Sequence, residues 1–307
     1  MLKQLATWVL QSRHRLTMAV AFLLIVPLLN FMAPMVAVAG VLQFGPLAAL
    51  PWIAGGWGIV GAIQMIANPD PIALVYLVSA GVSLALAMLM ATVLGRGGSL
   101  TLALQASLLA VVGVLAAFYM VVGDVTAYWT NAIEYLLASA RESGTQLSQL
   151  SDQEVSEGVT LIAQYMSGVA AGWAFVALAV SILGGYALWD HGADKGQARF
   201  GRFRDLNLGR ALAATLVLLA VIGSFAGWVP GANAAIVLLL AFGLHGCALM
   251  HWLRQRFDWP EWSLVVFYGV LATTLLGNPF AVMLVCVAGY VDAWFNMVRV
   301  APPGQAR

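Results

Sequence analysis

The chain has 307 residues, of which 62% are hydrophobic and only 9% charged, with a formal net charge of +1. A soluble domain carries roughly 25% charged residues, so this composition excludes a water-facing globular surface. The near-zero balance, with cations scattered among loops rather than gathered on one face, also excludes a nucleic-acid footprint.

In chain order, the first charges, Lys3, Arg13 and Arg15, precede an apolar run over 16–68. The run is longer than the 7–15-residue core of a cleaved signal, so despite the small residues Ala37, Val38 and Ala39 it reads as an uncleaved anchor. Pro34, Pro46 and Pro51 can each break or kink it. Further apolar runs cover 71–94, 100–123, 160–189, 211–229, 232–251, 262–276 and 279–298. Clusters such as Asn68-Pro69-Asp70-Pro71 and Gly277-Asn278-Pro279 separate them. The runs are long enough to cross ~30 Å of hydrocarbon as helices, and they lack the alternation of a membrane β-strand. The fold class expected is an all-α, polytopic transmembrane helix bundle of about 8–10 spans, built as one membrane domain over 1–307.

Lys and Arg are retained on the cytoplasmic side, which orients the bundle. The connection 190–210, with Lys195, Arg199, Arg202, Arg204 and Arg210, is placed inside as a basic loop. Arg96, Arg254, Arg256, Arg299 and Arg307 follow it by alternation, whereas 124–158, with six acidic residues against Arg141, falls outside. Three short crossings within 16–68 (about 16–30, 32–48 and 52–67) bring the N-terminus inside and give ten in all, or eight to nine if an early segment is re-entrant. Both termini are then cytoplasmic in a bacterial-type inner membrane. Trp189, Trp252, Trp259, Trp262 and Trp294 fall at inner borders and Trp129 and Trp228 at outer ones, as an anchoring belt does.

The external segment 124–158 is expected to be a helical hairpin insertion. Trp129, Ile133, Leu136, Leu137 and Ala140 recur at helical spacing, Gly144 ends that helix, and Ser151 with Glu154 forms a capping box for the next. Val155, Val159, Ile162, Met166 and Val169 carry an apolar stripe onward into the following span. Such a hairpin either covers an outward pocket or is a solvated connector.

Polar groups inside the spans are the candidate functional residues, because lipid makes them costly. His245 and His251, six residues apart on one helix, do not share a face, so His245 reads first as an interhelical hydrogen-bond partner. Asp292 lies near the inner end of the last span, seven residues before Arg299, where its cost is lower. Asp190, His191 and Asp194 read as a solvated helix end. The candidate substrate-binding set is Trp129, Glu134, Gln164, Asn233 and His245, at the mouth of a small-molecule pocket. Cys247 and Cys286 read as small core residues. No metal site, cofactor site or catalytic residue is assigned: HExxH, GxSxG, Walker and CxxC motifs do not occur, so the chain does not read as an enzyme.

Three stretches carry a resemblance. They are Phe203-Arg204-Asp205-Leu206-Asn207-Leu208-Gly209, the run from Gly243-Leu244-His245 to His251, and Gly289-Tyr290-Val291-Asp292-Ala293-Trp294-Phe295-Asn296 followed by Arg299. With the layout of spans and the external insertion, they resemble the YybS-like family of bacterial membrane proteins, a domain of unknown function. Gly209 stands where that pattern has proline, Asn296 where it has an acidic residue, and the arginine is displaced by one position. The family is similar in fold to the S components of energy-coupling-factor vitamin transporters. The resemblance implies a solute-binding subunit that works with ATPase-driven partner subunits, docked through a small-residue surface for which Ala33 and Ala37 are the candidates. The rival reading is a membrane scaffold or regulatory protein whose basic loop meets a cytoplasmic partner or anionic lipid.

Overall fold

The computed structural model describes residues 2–67, 71–142, 152–192, 199–277 and 280–295, and among these there are twelve α-helices and no strand. They are α1 (Leu2–Leu10), α2 (Arg13–Ile25), α3 (Ala33–Phe44), α4 (Pro46–Ala67), α5 (Pro71–Gly97), α6 (Leu100–Val122), α7 (Val125–Glu142), α8 (Asp152–Gly192), α9 (Gly209–Phe225), α10 (Val229–Arg256), α11 (Trp262–Gly277) and α12 (Phe280–Phe295). Short 3-10 turns cover Asn30–Met32 and Phe203–Asp205. The punctuation is local. Ser12 caps α2 by accepting from the Arg15 amide, and Asp124 caps α7 by accepting from Ala127 at 2.9 Å. Gly45, at φ +85°, turns the chain out of α3, and Pro46 starts α4 where its missing N–H is harmless. Of the three early prolines, only Pro51 lies inside a helix, and α4 runs through it.

Five helices are long and apolar enough to cross a membrane: α4, α5, α6, α8 and α10. Apolar helices α3, α9, α11 and α12 are shorter, and α2 has 13 residues, against the ~20 of an upright crossing. Large apolar side chains cover the outside, as with Leu47 and Ile66 at 85% and 86% exposure. A surface of that kind belongs in lipid, where it has no reason to hide. The most enclosed span is α10, with 56% of its apolar window buried against 22% for α4.

The chain divides into two compact units, 1–107 with 176–206 and 108–175 with 207–307. Sequence shows no linker because the units share the continuous helices α6 and α8.

In the first unit, α2 packs against α3 and α4 through glycines. A Cβ on Gly40 would lie 2.7 Å from Leu16 Cδ2, and one on Gly56 2.8 Å from the Thr17 carbonyl. Thr17 Oγ1 donates to the Trp52 carbonyl at 2.9 Å, Trp57 Nε1 to that of Leu77 at 2.9 Å, and the Tyr76 hydroxyl to that of Leu24 at 2.6 Å. The end of α8 meets α3 at Gly185, whose Cβ would lie 2.5 Å from the Met35 carbonyl. Ala33 and Ala37 have no exposed surface there: the small-residue face proposed for docking is occupied by this unit's own helices. Trp189 departs from the anchoring-belt expectation in the same way. It is 1% exposed, stacked on Phe200 at 5.5 Å and on Tyr186 at 6.3 Å, because an aromatic pocket closes over it. Trp228, Trp259, Trp262 and Trp294 are exposed as a belt requires.

In the second unit, α10 is central. It packs on α8 at Gly172, whose Cβ would lie 2.4 Å from Leu240 Cδ1, and on α9 at Gly223, whose Cβ would lie 2.7 Å from the Ala232 amide nitrogen. Its contact with α12 is closer still. A Cβ on Gly246 would lie 2.1 Å from the Val285 carbonyl, and one on Gly289 2.1 Å from that of Phe242, so the two backbones touch.

The expected helix over 128–142 lies within α7, and Trp129, Ile133, Leu137 and Ala140 form its half-buried face, whereas Leu136 is 65% exposed. The second arm of the expected hairpin is the start of α8 and continues unbroken to Gly192. Gly144 and Ser151 lie outside the described residues. The apolar stripe expected along this segment holds in part: Val159 is buried and Met166 half-buried, whereas Ile162 and Val169 are exposed and Ala163, Ser167 and Gly168 are buried in their place. Small residues take the interior because lipid accepts the large ones.

Candidate functional site

The second unit holds two polar stations on α10, Asn233 and His245, twelve residues or about 18 Å apart along the helix. Both side chains are fully buried.

At the first station, the amide of Asn233 is inserted beside the backbone of α8. Its Oδ1 accepts from the Gly168 amide, and its Nδ2 donates to the carbonyls of Gln164 at 2.9 Å and Val229 at 3.0 Å. Gly168 N–H and Gln164 C=O are i+4 and i partners in a helical ladder. Asn233 therefore adds bonds to two groups that are also paired by the ladder of α8, which runs unbroken through both. Gly168 makes the approach possible, since a Cβ there would lie 2.8 Å from Asn233 Cα. One residue earlier, Ser167 Oγ accepts from Trp129 Nε1 of α7 at 2.7 Å. The buried hydroxyl of Tyr119, on α6, approaches Ser167 and Asn233 without closing a hydrogen bond.

Three of the five candidate substrate residues thus meet here: Trp129, Gln164 (through its carbonyl) and Asn233. Trp129 and Gln164 are half-buried, and the Gln164 side-chain amide makes no hydrogen bond among the described residues. Glu134 is on the exposed face of α7 and joins no contact of this cluster among the described residues. Ser167, Gly168 and Tyr119 were not singled out from sequence. Gly168 and Gly172 are a small-xxx-small pair, a signal of close approach, but such pairs are too common to select one.

His245 belongs to the second station. Its Nε2 lies 2.9 Å from Asp292 Oδ2 on α12, with both side chains at 0% exposure. His245 Nδ1 and Asp292 Oδ1 have no hydrogen-bond partner among the described residues. The interhelical bond read for His245 is present, but its partner is an acid that sequence position assigned to the solvated border. Asp292 is buried because Gly289, one turn earlier, lets α12 sink against α10. Phe242 and Tyr290 meet edge to face at 5.6 Å beside the pair, and on α9 Arg210 Nε donates to the Trp294 carbonyl at 2.9 Å. The stretches 243–251 and 289–295, distant in sequence, are consequently neighbours in space.

Of the basic connection, Arg199 and Arg202 are exposed, Arg204 lies 3.7 Å from Asp205, and Lys195 and Asp194 fall outside the described residues. Asp190 is half-buried, and the exposed His191 places Nδ1 2.7 Å from the Ala187 carbonyl. Cys247 and Cys286 are free thiols.

Comparison with protein families, with characterised proteins and with solved structures finds no match to this chain. The helices themselves define its class: it is a membrane-embedded α-helical protein.

Proposed function

We propose that this chain is a solute-binding, transport-associated protein of a bacterial-type inner membrane, with both termini cytoplasmic. The observation behind it is the convergence of Trp129, Gln164 and Asn233 with Ser167 and Tyr119. Half-buried aromatic and amide groups over a buried polar floor have the composition of a small-molecule site. Asn233 and the Trp129 indole N–H are already bonded, so the Gln164 amide and the Tyr119 hydroxyl remain to meet a solute. Under this reading α7 covers the site from outside. A subunit without a nucleotide motif draws its energy from a separate ATPase, as the resemblance to S components implies.

Mass spectrometry of small molecules released from the purified chain, together with pull-down from its own membranes, tests the reading. Wild type is expected to retain a solute and to capture ATPase subunits, and Gln164→Ala and Tyr119→Phe to lose most of the solute while remaining folded. Absence of both solute and ATPase subunits would overturn it. The exposed Arg199 and Arg202 favour a second reading, a scaffold that meets an acidic partner or anionic lipid. Vesicle binding that falls when both become Gln, with no retained solute, selects that one.

A further inference from the structure

We infer that His245 and Asp292 form an intramembrane proton-binding site. This goes beyond the solute reading and does not depend on it.

The geometry carries the inference in three parts. Both side chains are at 0% exposure, their one mutual bond is 2.9 Å long, and Nδ1 of the ring and Oδ1 of the carboxyl are each buried without a partner among the described residues. The pair thus keeps one open nitrogen and one open oxygen at which a proton can reside or be passed. Adhesion does not require it: α10 and α12 already meet backbone to backbone at Gly246 and Gly289, which is how helices associate in lipid. A neutral amide would add a similar hydrogen bond without ionisable groups, as Asn233 does farther along the same helix. The close contact runs right beside the pair, at Gly246 next to His245 and at Gly289 one turn before Asp292, and neither side chain has exposed surface.

The chemistry is a proton count. Neutral imidazole beside carboxylate leaves a net negative charge in a medium that penalises it heavily. One added proton, on ring nitrogen or carboxyl oxygen, makes the site neutral overall. Only an N–H or O–H bond forms on uptake and breaks on release, with water as donor and acceptor. The nearer end of both helices is the one that carries Arg210, Arg254 and Arg256, so exchange occurs on that side; Arg210, held on the Trp294 carbonyl, guards it.

The surrounding titratable groups are accounted for. On α10 these are Cys247, His251, Arg254 and Arg256; on α12, Cys286 and Tyr290; on α9, Arg210; and on α11, Tyr268, bonded to His251 at 2.9 Å. Along the part of α8 in this unit, up to Phe175, which meets α10 at Gly168 and Gly172, the described ones are Glu157 and Tyr165. None of them closes a hydrogen bond or ion pair with His245 or Asp292 among the described residues.

The full chain in lipid nanodiscs, with labelled histidine, is titrated between about pH 5 and about pH 9, the range in which imidazole is the usual switch. Magnetic resonance reads the rings and infrared difference spectra read the carboxyl. The expected result is a pH-dependent His245 signal coupled to a carboxyl band, with the band abolished and the ring signal displaced in Asp292→Asn. Wild type should also take up one more proton than that variant. His245→Gln provides the assignment should Asp292→Asn not fold. Ring and carboxyl signals of folded wild type that stay constant across the range would overturn the inference. A wild-type-to-variant difference in unfolding midpoint that is the same at every pH would do so as well.

Discussion

Asn233 and His245 are two polar residues buried on one helix, and they satisfy their chemistry differently. Asn233 uses both ends of its amide on three backbone groups. His245 makes one bond to one acid and leaves an atom open on each partner. A neutral amide with every valence used joins helices, whereas a half-satisfied ionisable pair in lipid persists only where something else favours it. At the Asn233 station the open capacity lies on its neighbours, such as the Tyr119 hydroxyl, whereas at the other it lies on the ionisable pair itself.

The largest effect that sharpens this contrast is expected from His245→Ala. It strands a carboxylate in the interior and should destabilise by about 3–5 kcal/mol, read as a lower unfolding midpoint in mixed micelles. Replacing both residues by Leu should restore most of that stability. A single substitution as mild as the double would break the distinction.

Next in size is Gly289→Ala. Its new methyl would meet the Phe242 carbonyl at 2.1 Å, which no side-chain rotation relieves, so a loss of about 2–3 kcal/mol is expected from overpacking. Gly113→Ala, in a helix with nothing within 4 Å of the added Cβ, should cost nothing or stabilise slightly in the same assay.

Asn233→Ala should cost less, about 1–2 kcal/mol, because Gly168 N–H and Gln164 C=O are backbone groups of the unbroken α8 and are not stranded once the amide is gone. Its effect should not vary with pH, in contrast to the His245 station. The smallest change is expected from Trp129→Phe, which removes one interhelical bond to Ser167 worth about 0.6 kcal/mol. A loss larger than that of Asn233→Ala would show that the outer cluster depends on its indole.

Much of the fold was legible in sequence, for reasons that differ from place to place. The helix end at Gly123-Asp124 follows from backbone chemistry that a few residues settle alone, whereas the break at Gly45-Pro46 falls inside the crossing expected over 32–48. The breaks on either side of α5 lie where proline and glycine punctuate the apolar runs. Of the candidate site, the grouping of Trp129, Gln164 and Asn233 was anticipated, yet not its detail, since Asn233 contacts the backbone of Gln164 and not its side chain. The expected stripe held at Val159 but failed at Ile162 and Val169, because apolar periodicity locates an interior only when the exterior is water.

By itself the sequence determined that apolar helices exist here, where several of them end, and that their surface suits lipid, because hydropathy and Gly/Pro punctuation act within a few residues of themselves. Tertiary structure alone decided which faces turn inward, that Trp189, Ala33 and Ala37 are enclosed, and that Asp292 meets His245. Large apolar side chains are equally content in lipid or in the core. Helix partners are therefore chosen by glycines such as Gly168, Gly246 and Gly289, whose pairing across the chain is a property of two backbones in contact.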